Sequence, residues 1–94
     1  MFSVTFNYRK SQYEALIRVV KQKENRKQYR ITIMNGELEV LLYGHHFFIE
    51  EDGKLDISTT GLPDGIAELK TIITQAFQRE REWKANGSLT SANA

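Results

Sequence analysis

Few residues in this chain could do chemistry, and their spacing argues against most of it. His45 and His46 are adjacent. Neighbouring side chains on a strand point to opposite faces, so the two imidazoles do not converge on one metal ion. Glu50, Glu51 and Asp52 follow at a strand end and turn and complete no ligand set, so neither a metal nor a cofactor is expected. Glu39 and Glu50 form a different pair. The hairpin register derived below sets them across from each other, and like charges so placed can raise one carboxyl pKa, as general acid chemistry requires. On an exposed edge such a pair is ordinarily solvated. No catalytic residue is therefore assigned, and Glu39, Glu50 and His46 are the positions an enzyme would use. No serine sits in a glycine-flanked elbow, and the glycines fall singly at turns and caps, which leaves no phosphate-cradling loop.

Charge gives a stronger signal than any motif. Residues 1–34 carry a net +6 and residues 35–94 a net −5, within a total of +1. The basic half concentrates in Lys21, Lys23, Arg26 and Lys27, candidate contacts for nucleic-acid phosphates, with Tyr43 and Phe48 as surfaces on which bases could stack. The same asymmetry also fits two surfaces of opposite sign meeting in an oligomer, or plain solvation of hairpin tips.

These residues need elements to position them. A chain of 94 residues makes one domain, assigned here to residues 1–87, with a small polar tail over 88–94 expected to be disordered. The absence of cysteine excludes disulfides and thiolate metal sites and fits a cytoplasmic protein. No basic segment followed by an apolar run marks a signal peptide, and no apolar run approaches the roughly 20 residues of a bilayer span, so no membrane partner is expected.

The clearest element is a helix over Leu62–Trp83. Leu62, Ile66, Leu69, Ile73 and Ala76, widened by Ile72 and Phe77, form one apolar stripe at helical spacing. Pro63 suits the first turn, Asp64 and Glu68 suit the positive end of the dipole, and Arg79, Arg81 and Lys84 suit the negative end before an Asn86-Gly87 stop. Trp83, near that end, packs on a strand or pins a partner.

Upstream, Phe2, Val4, Phe6 and Tyr8 alternate with Ser3, Thr5 and Asn7 as a half-buried strand. Residues 12–24 support two readings. Ser11 to Glu14 matches a capping box, but β-branched Ile17, Val19 and Val20 and an economical hairpin through Arg9 favour a strand, followed by a charged loop over Lys21–Lys27. Asn35-Gly36 reads as a type I′ hairpin turn pairing Ile33 with Leu38, Ile31 with Val40 and Tyr29 with Leu42. Gly44-His45 reads as a type II′ turn pairing Leu42 with Phe47 and Val40 with Ile49. A bulged three-residue loop at Asp52-Gly53 then pairs Glu51 with Leu55 and Ile49 with Ile57.

The result is an α+β domain: an antiparallel β-meander of five to six strands with one long C-terminal amphipathic helix packed on one face. The helix is expected to bury Tyr29, Ile31, Ile33, Leu38, Val40, Leu42, Phe47 and Ile49. The opposite face would carry Met34, Leu41, Tyr43, His46 and Phe48, joined by Leu16 and Val20. Within it, Leu41, Tyr43, His46 and Phe48 form a patch suited to a homodimer or a protein partner. The element order is similar to that of Whirly and Pur-type single-strand binders and of pleckstrin-homology-like domains. The reading is a small non-enzymatic binding module that pairs with a second copy through the sheet face the helix leaves uncovered, the alternative being a binder of single-stranded nucleic acid.

Overall fold

The computed structural model describes residues 1–93 apart from Tyr43, Ser58 and Thr60, with side chains described as far as Glu82. Five antiparallel strands lie in chain order: β1 (Phe2–Tyr8), β2 (Ser11–Lys23), β3 (Arg26–Ile33), β4 (Phe47–Glu51) and β5 (Lys54–Asp56). A short helix α1 (Gly36–Leu41) separates β3 from β4, and α2 (Asp64–Asn93) closes the chain. The meander and the helix packed on one face are as expected. The expected stop at Asn86-Gly87 is absent, because α2 continues through both residues into the expected tail as far as Asn93, and the side chains from Trp83 onward lie outside the described ones.

Period-two alternation builds the sheet. Val4, Phe6 and Tyr8 of β1, Ala15 and Ile17 of β2, and Tyr29, Ile31 and Ile33 of β3 are buried on the inner face. Against them α2 lays Leu69, Ile73, Ala76 and Phe77, the stripe that its sequence spacing requires. The Phe77 ring meets Phe2 edge-on at 5.1 Å, Tyr29 at 5.1 Å and Phe48 at 5.5 Å, tying the helix to three strands. The helix begins two residues later than expected, with the Pro63 carbonyl accepting its first bond from Ala67 N–H at 2.9 Å.

Residues 12–23 are strand, and the expected charged loop over 21–27 is mostly strand as well. β2 runs to Lys23, β3 starts at Arg26, and only Glu24 and Asn25 turn between them, Glu24 with φ 53°. The register shifts between Val19 and Lys21, so Val20 is an extra residue in β2. Such a bulge reverses the facing of everything beyond it. Lys21 pairs with Gln28 and Lys23 with Arg26, and all four therefore face away from α2, with Arg30 and Thr32.

The main departure is at Asn35-Gly36, which starts a helix and makes no hairpin. Asn35 is extended, with φ −157° and ψ 117°, and its Oδ1 accepts the Leu38 N–H at 3.1 Å, the geometry of an N-cap. Leu38 and Leu42, four apart, are buried by the resulting turn. Glu39 reaches back so that its Oε1 accepts the Ile33 N–H at 3.0 Å, a side chain standing where a neighbouring strand would supply a carbonyl.

Without the hairpin, the phase of β4 is the reverse of that expected. Tyr29 pairs with Phe48 and Arg30 with Phe47. Phe48 is 2 % exposed and stacks on Tyr29 at 5.0 Å, whereas Phe47 is 40 % and Val40 61 % exposed, and Ile49 is half-buried on the outer side. Asp52-Gly53 is a plain two-residue turn with both φ values positive (52° and 81°), pairing Glu51 with Lys54, so the expected bulged loop is absent there. Because β4 is reversed, that turn places Leu55 across from buried Glu50, on the core side after all.

Gly36 separates the two conformations experimentally. It has no positive φ, and nothing lies within 4 Å of an added Cβ. Gly36→Ala is expected to stabilise the fold by about 0.4–1 kcal/mol in denaturant melts, whereas a type I′ turn would make it destabilising. Asn35→Ala is expected to cost about 1 kcal/mol through loss of the cap.

Candidate nucleic-acid interface

The outer face of the sheet, opposite α2, is built from cross-strand rows. One row is Arg18, Arg30 and Phe47; the next is Lys21, Gln28, Ile49 and Asp56; the third is Lys23, Arg26, Glu51 and Lys54. Adjacent strands are about 4.8 Å apart and same-face residues along a strand about 6–7 Å, so the cations form a grid. Lys21, Lys23, Arg26, Gln28 and Ile49 line a depression of about 240 Å³. Arg30 Nη1 donates to Thr32 Oγ1 at 2.7 Å, which orients its guanidinium along the strand. Among the described residues, the ion pairs within 4.0 Å join Arg81 to Glu50 and His46 to Glu39, and none involves Arg18, Lys21, Lys23, Arg26 or Arg30. Arg18 directly opposite Arg30 is a pairing that repels in the free protein.

Of the candidate contacts named from sequence, Lys21, Lys23 and Arg26 come together on this face. Lys27 does not: it is on the inner side, across from Glu50, in a cleft of about 500 Å³ with Glu24, Asn25, Asp52 and Gly53. The carboxylates there oppose a polyanion.

The expected patch of Leu41, Tyr43, His46 and Phe48 does not assemble. Phe48 is in the core, and Leu41, 39 % exposed, is on α1. His46 is mostly covered, its Nε2 lying 3.2 Å from the Glu39 carbonyl and 3.4 Å from Glu39 Oε1. Tyr43 lies outside the described residues. Of the expected stacking surfaces, Phe48 is in the core, and Phe47 is the exposed ring in its place. No family model, curated protein or solved structure matches this chain. The reading of this face therefore rests on its residues alone.

Phe47 and Ile49 were missed because the hairpin expected at Asn35-Gly36 puts β4 in the opposite phase, whereas Arg18 on β2 and Arg30 on β3 do not depend on that phase. The signal for Arg30 was present: Arg26, Gln28, Arg30 and Thr32 alternate with Lys27, Tyr29, Ile31 and Ile33. The bulge also leaves a trace, since the adjacent apolar residues Val19 and Val20 break the alternation of β2.

Glu39 and Glu50 are not paired, because one is on α1 and the other on β4. Glu50 is buried and accepts from Tyr29 Oη at 2.7 Å and Arg81 Nη1 at 2.8 Å, with Arg81 also stacked over Phe77. Burial acts to raise the Glu50 pKa, but hydrogen bonds from Arg81 and Tyr29 and the charges of Arg81 and Lys27 hold it below the usual carboxylate value. Burial, then the hydrogen bond to Glu50 and its charge, push the Tyr29 phenol from 10.0 up to about 12. Burial also lowers the Lys70 pKa, opposed by Asp56. No group of three or more possible ligands that could hold a metal is found among the described residues, and no helix among them is long and apolar enough to cross a membrane.

These shifts fix a pH dependence. Glu50, depressed in the folded state, stabilises it above the ordinary carboxyl pKa, and that stability is lost as pH falls through the folded value. Tyr29, raised in the folded state, contributes fully below pH 10.0, and its contribution disappears as pH rises through about 12. The stability difference between wild type and Tyr29→Phe is therefore expected to shrink between pH 10 and 12 in thermal melts. Arg81→Met removes the ion-pair partner of Glu50, leaving it the Tyr29 hydrogen bond, and is expected to cost about 2–3 kcal/mol at neutral pH.

Proposed function

We propose that this protein is a binding module for single-stranded nucleic acid, using the outer face of its sheet. The observation that carries the reading is the group Arg18, Lys21, Lys23, Arg26 and Arg30 on one face with exposed Phe47, none of these cations in an ion pair within 4.0 Å among the described residues, although Glu51 lies across from Arg26. Side chains that repel each other in the free protein gain from a ligand carrying many negative charges, and the counterions it releases drive binding. A phenyl ring standing on a cationic sheet favours unstacked bases over a duplex, whose bases are covered. Phosphates run along the Lys21–Lys23 and Arg26–Arg30 lines, and a base stacks on Phe47 beside Arg30.

The test is fluorescence anisotropy with a labelled single-stranded oligonucleotide over a salt series. With four or five phosphate contacts, log K is expected to fall against log salt with a slope of about −3. Lys21→Gln, Lys23→Gln and Arg26→Gln are each expected to flatten that slope by about 0.7. Phe47→Ala is expected to lose about 1–3 kcal/mol of affinity with the slope unchanged. Lys27→Gln, on the inner side, is the control expected to leave both values in place. Absence of binding at low salt, or indifference to the Phe47 and Lys21 changes, overturns the reading.

A further inference from the structure

We propose that β1 is a dimerisation strand, through which two copies of the chain join their sheets edge to edge in antiparallel register. β1 is the first strand of the sheet and is hydrogen-bonded on one side only. The β1–β2 turn at Arg9-Lys10 has both φ values positive (49° and 69°) and joins Tyr8 to Ser11 as directly paired residues. In a two-residue hairpin of this type that pair exchanges both backbone bonds, and bonded and non-bonded pairs then alternate. Tyr8, Phe6, Val4 and Phe2 therefore bond to β2, while the N–H and C=O groups of Ser3, Thr5 and Asn7 point to the open edge.

Proteins ordinarily guard such an edge with charges, proline, a bulge or a very short strand. β5 at the far edge fits that pattern, with three residues that include Lys54 and Asp56. β1 does not: over its seven residues, Phe2–Tyr8, it has no charge, no proline and an unbroken register. The sequence is also self-complementary. With Thr5 on a two-fold axis, Thr5 meets Thr5 and Ser3 meets Asn7, which pairs every outward-pointing backbone group. On the inner face Val4 meets Phe6, and Phe2 meets Tyr8, continuing the apolar layer under α2. Cross-strand threonine pairs and aromatic–aliphatic pairs are favourable.

A second copy suits this edge better than the outer face. Joining two outer faces would bring Arg18, Lys21, Lys23, Arg26 and Arg30 against their own copies. Edge pairing sets the two cationic faces side by side and leaves both open. The inference is independent of nucleic-acid binding.

The test is size-exclusion chromatography with light scattering on the full chain, whose monomer mass is 10.9 kDa. Wild type is expected at twice that mass. Thr5→Lys places like charges across the axis, and Thr5→Pro removes an outward N–H without touching the bonds to β2. Both are expected to be monomers with an unchanged far-ultraviolet circular dichroism spectrum, whereas Thr5→Val remains dimeric. Amide exchange on wild type serves if either variant fails to fold: slow exchange at Ser3, Thr5 and Asn7 that speeds up on dilution supports the dimer. A wild-type monomer at all concentrations, folded variants that stay dimeric, or rapid exchange at those three amides overturns it.

Discussion

Strand β3 has a strand on each side, and a two-residue period leaves one choice for the direction of Tyr29, Ile31 and Ile33. Once they face α2, Arg26, Gln28, Arg30 and Thr32 face away. The neighbours must follow. Phe48 lies beside Tyr29 and packs on Phe77, and Phe47 is left outside beside Arg30. The same phase brings Glu50 inward, where Tyr29 and Arg81 must satisfy its carboxylate. A buried charge costs several kcal/mol unless it is paired, so this network also fixes where the second half of α2 can rest.

Two local devices protect that phase where the chain would break it. Near the end of β3, α1 occupies the place of a strand, and Glu39 accepts the Ile33 N–H that would otherwise be an orphan. At the far end of β2, the Val20 bulge spares Lys21 and Lys23 from facing the core side. Continued alternation from Ile17 and Val19 would have directed both lysines inward, beside Lys27.

The helix stripe from Ile66 to Phe77, the alternation of β1 and the strand character of residues 12–23 were legible because each segment satisfies one period and resists the other. Residues 35–42 satisfy both. Asparagine is favoured at a type I′ turn and at a helix N-cap for different reasons, and Leu38 and Leu42 share a face at a spacing of four in either a strand or a helix. The choice is made by tertiary contacts that the local sequence does not contain: burial of both leucines and the Glu39 bond to Ile33. That single ambiguity carried into β4, which is why Phe47, Phe48, Ile49 and Glu50 were all assigned to the wrong side. The acidic charge of the C-terminal half was legible. That one of its carboxylates is buried against Arg81 was not, since the two are 31 positions apart.

The bulge at Val20 has an effect that no bulk property registers. Net charge, isoelectric point and mean hydropathy would be the same with Lys21 and Lys23 on either side of the sheet. With both on the outer face, while Glu37, Asp64, Glu68 and Glu82 are exposed on the helices, the nearly neutral molecule divides its charge unevenly between its two sides. One extra residue in one strand thus decides which side of the sheet two lysines charge.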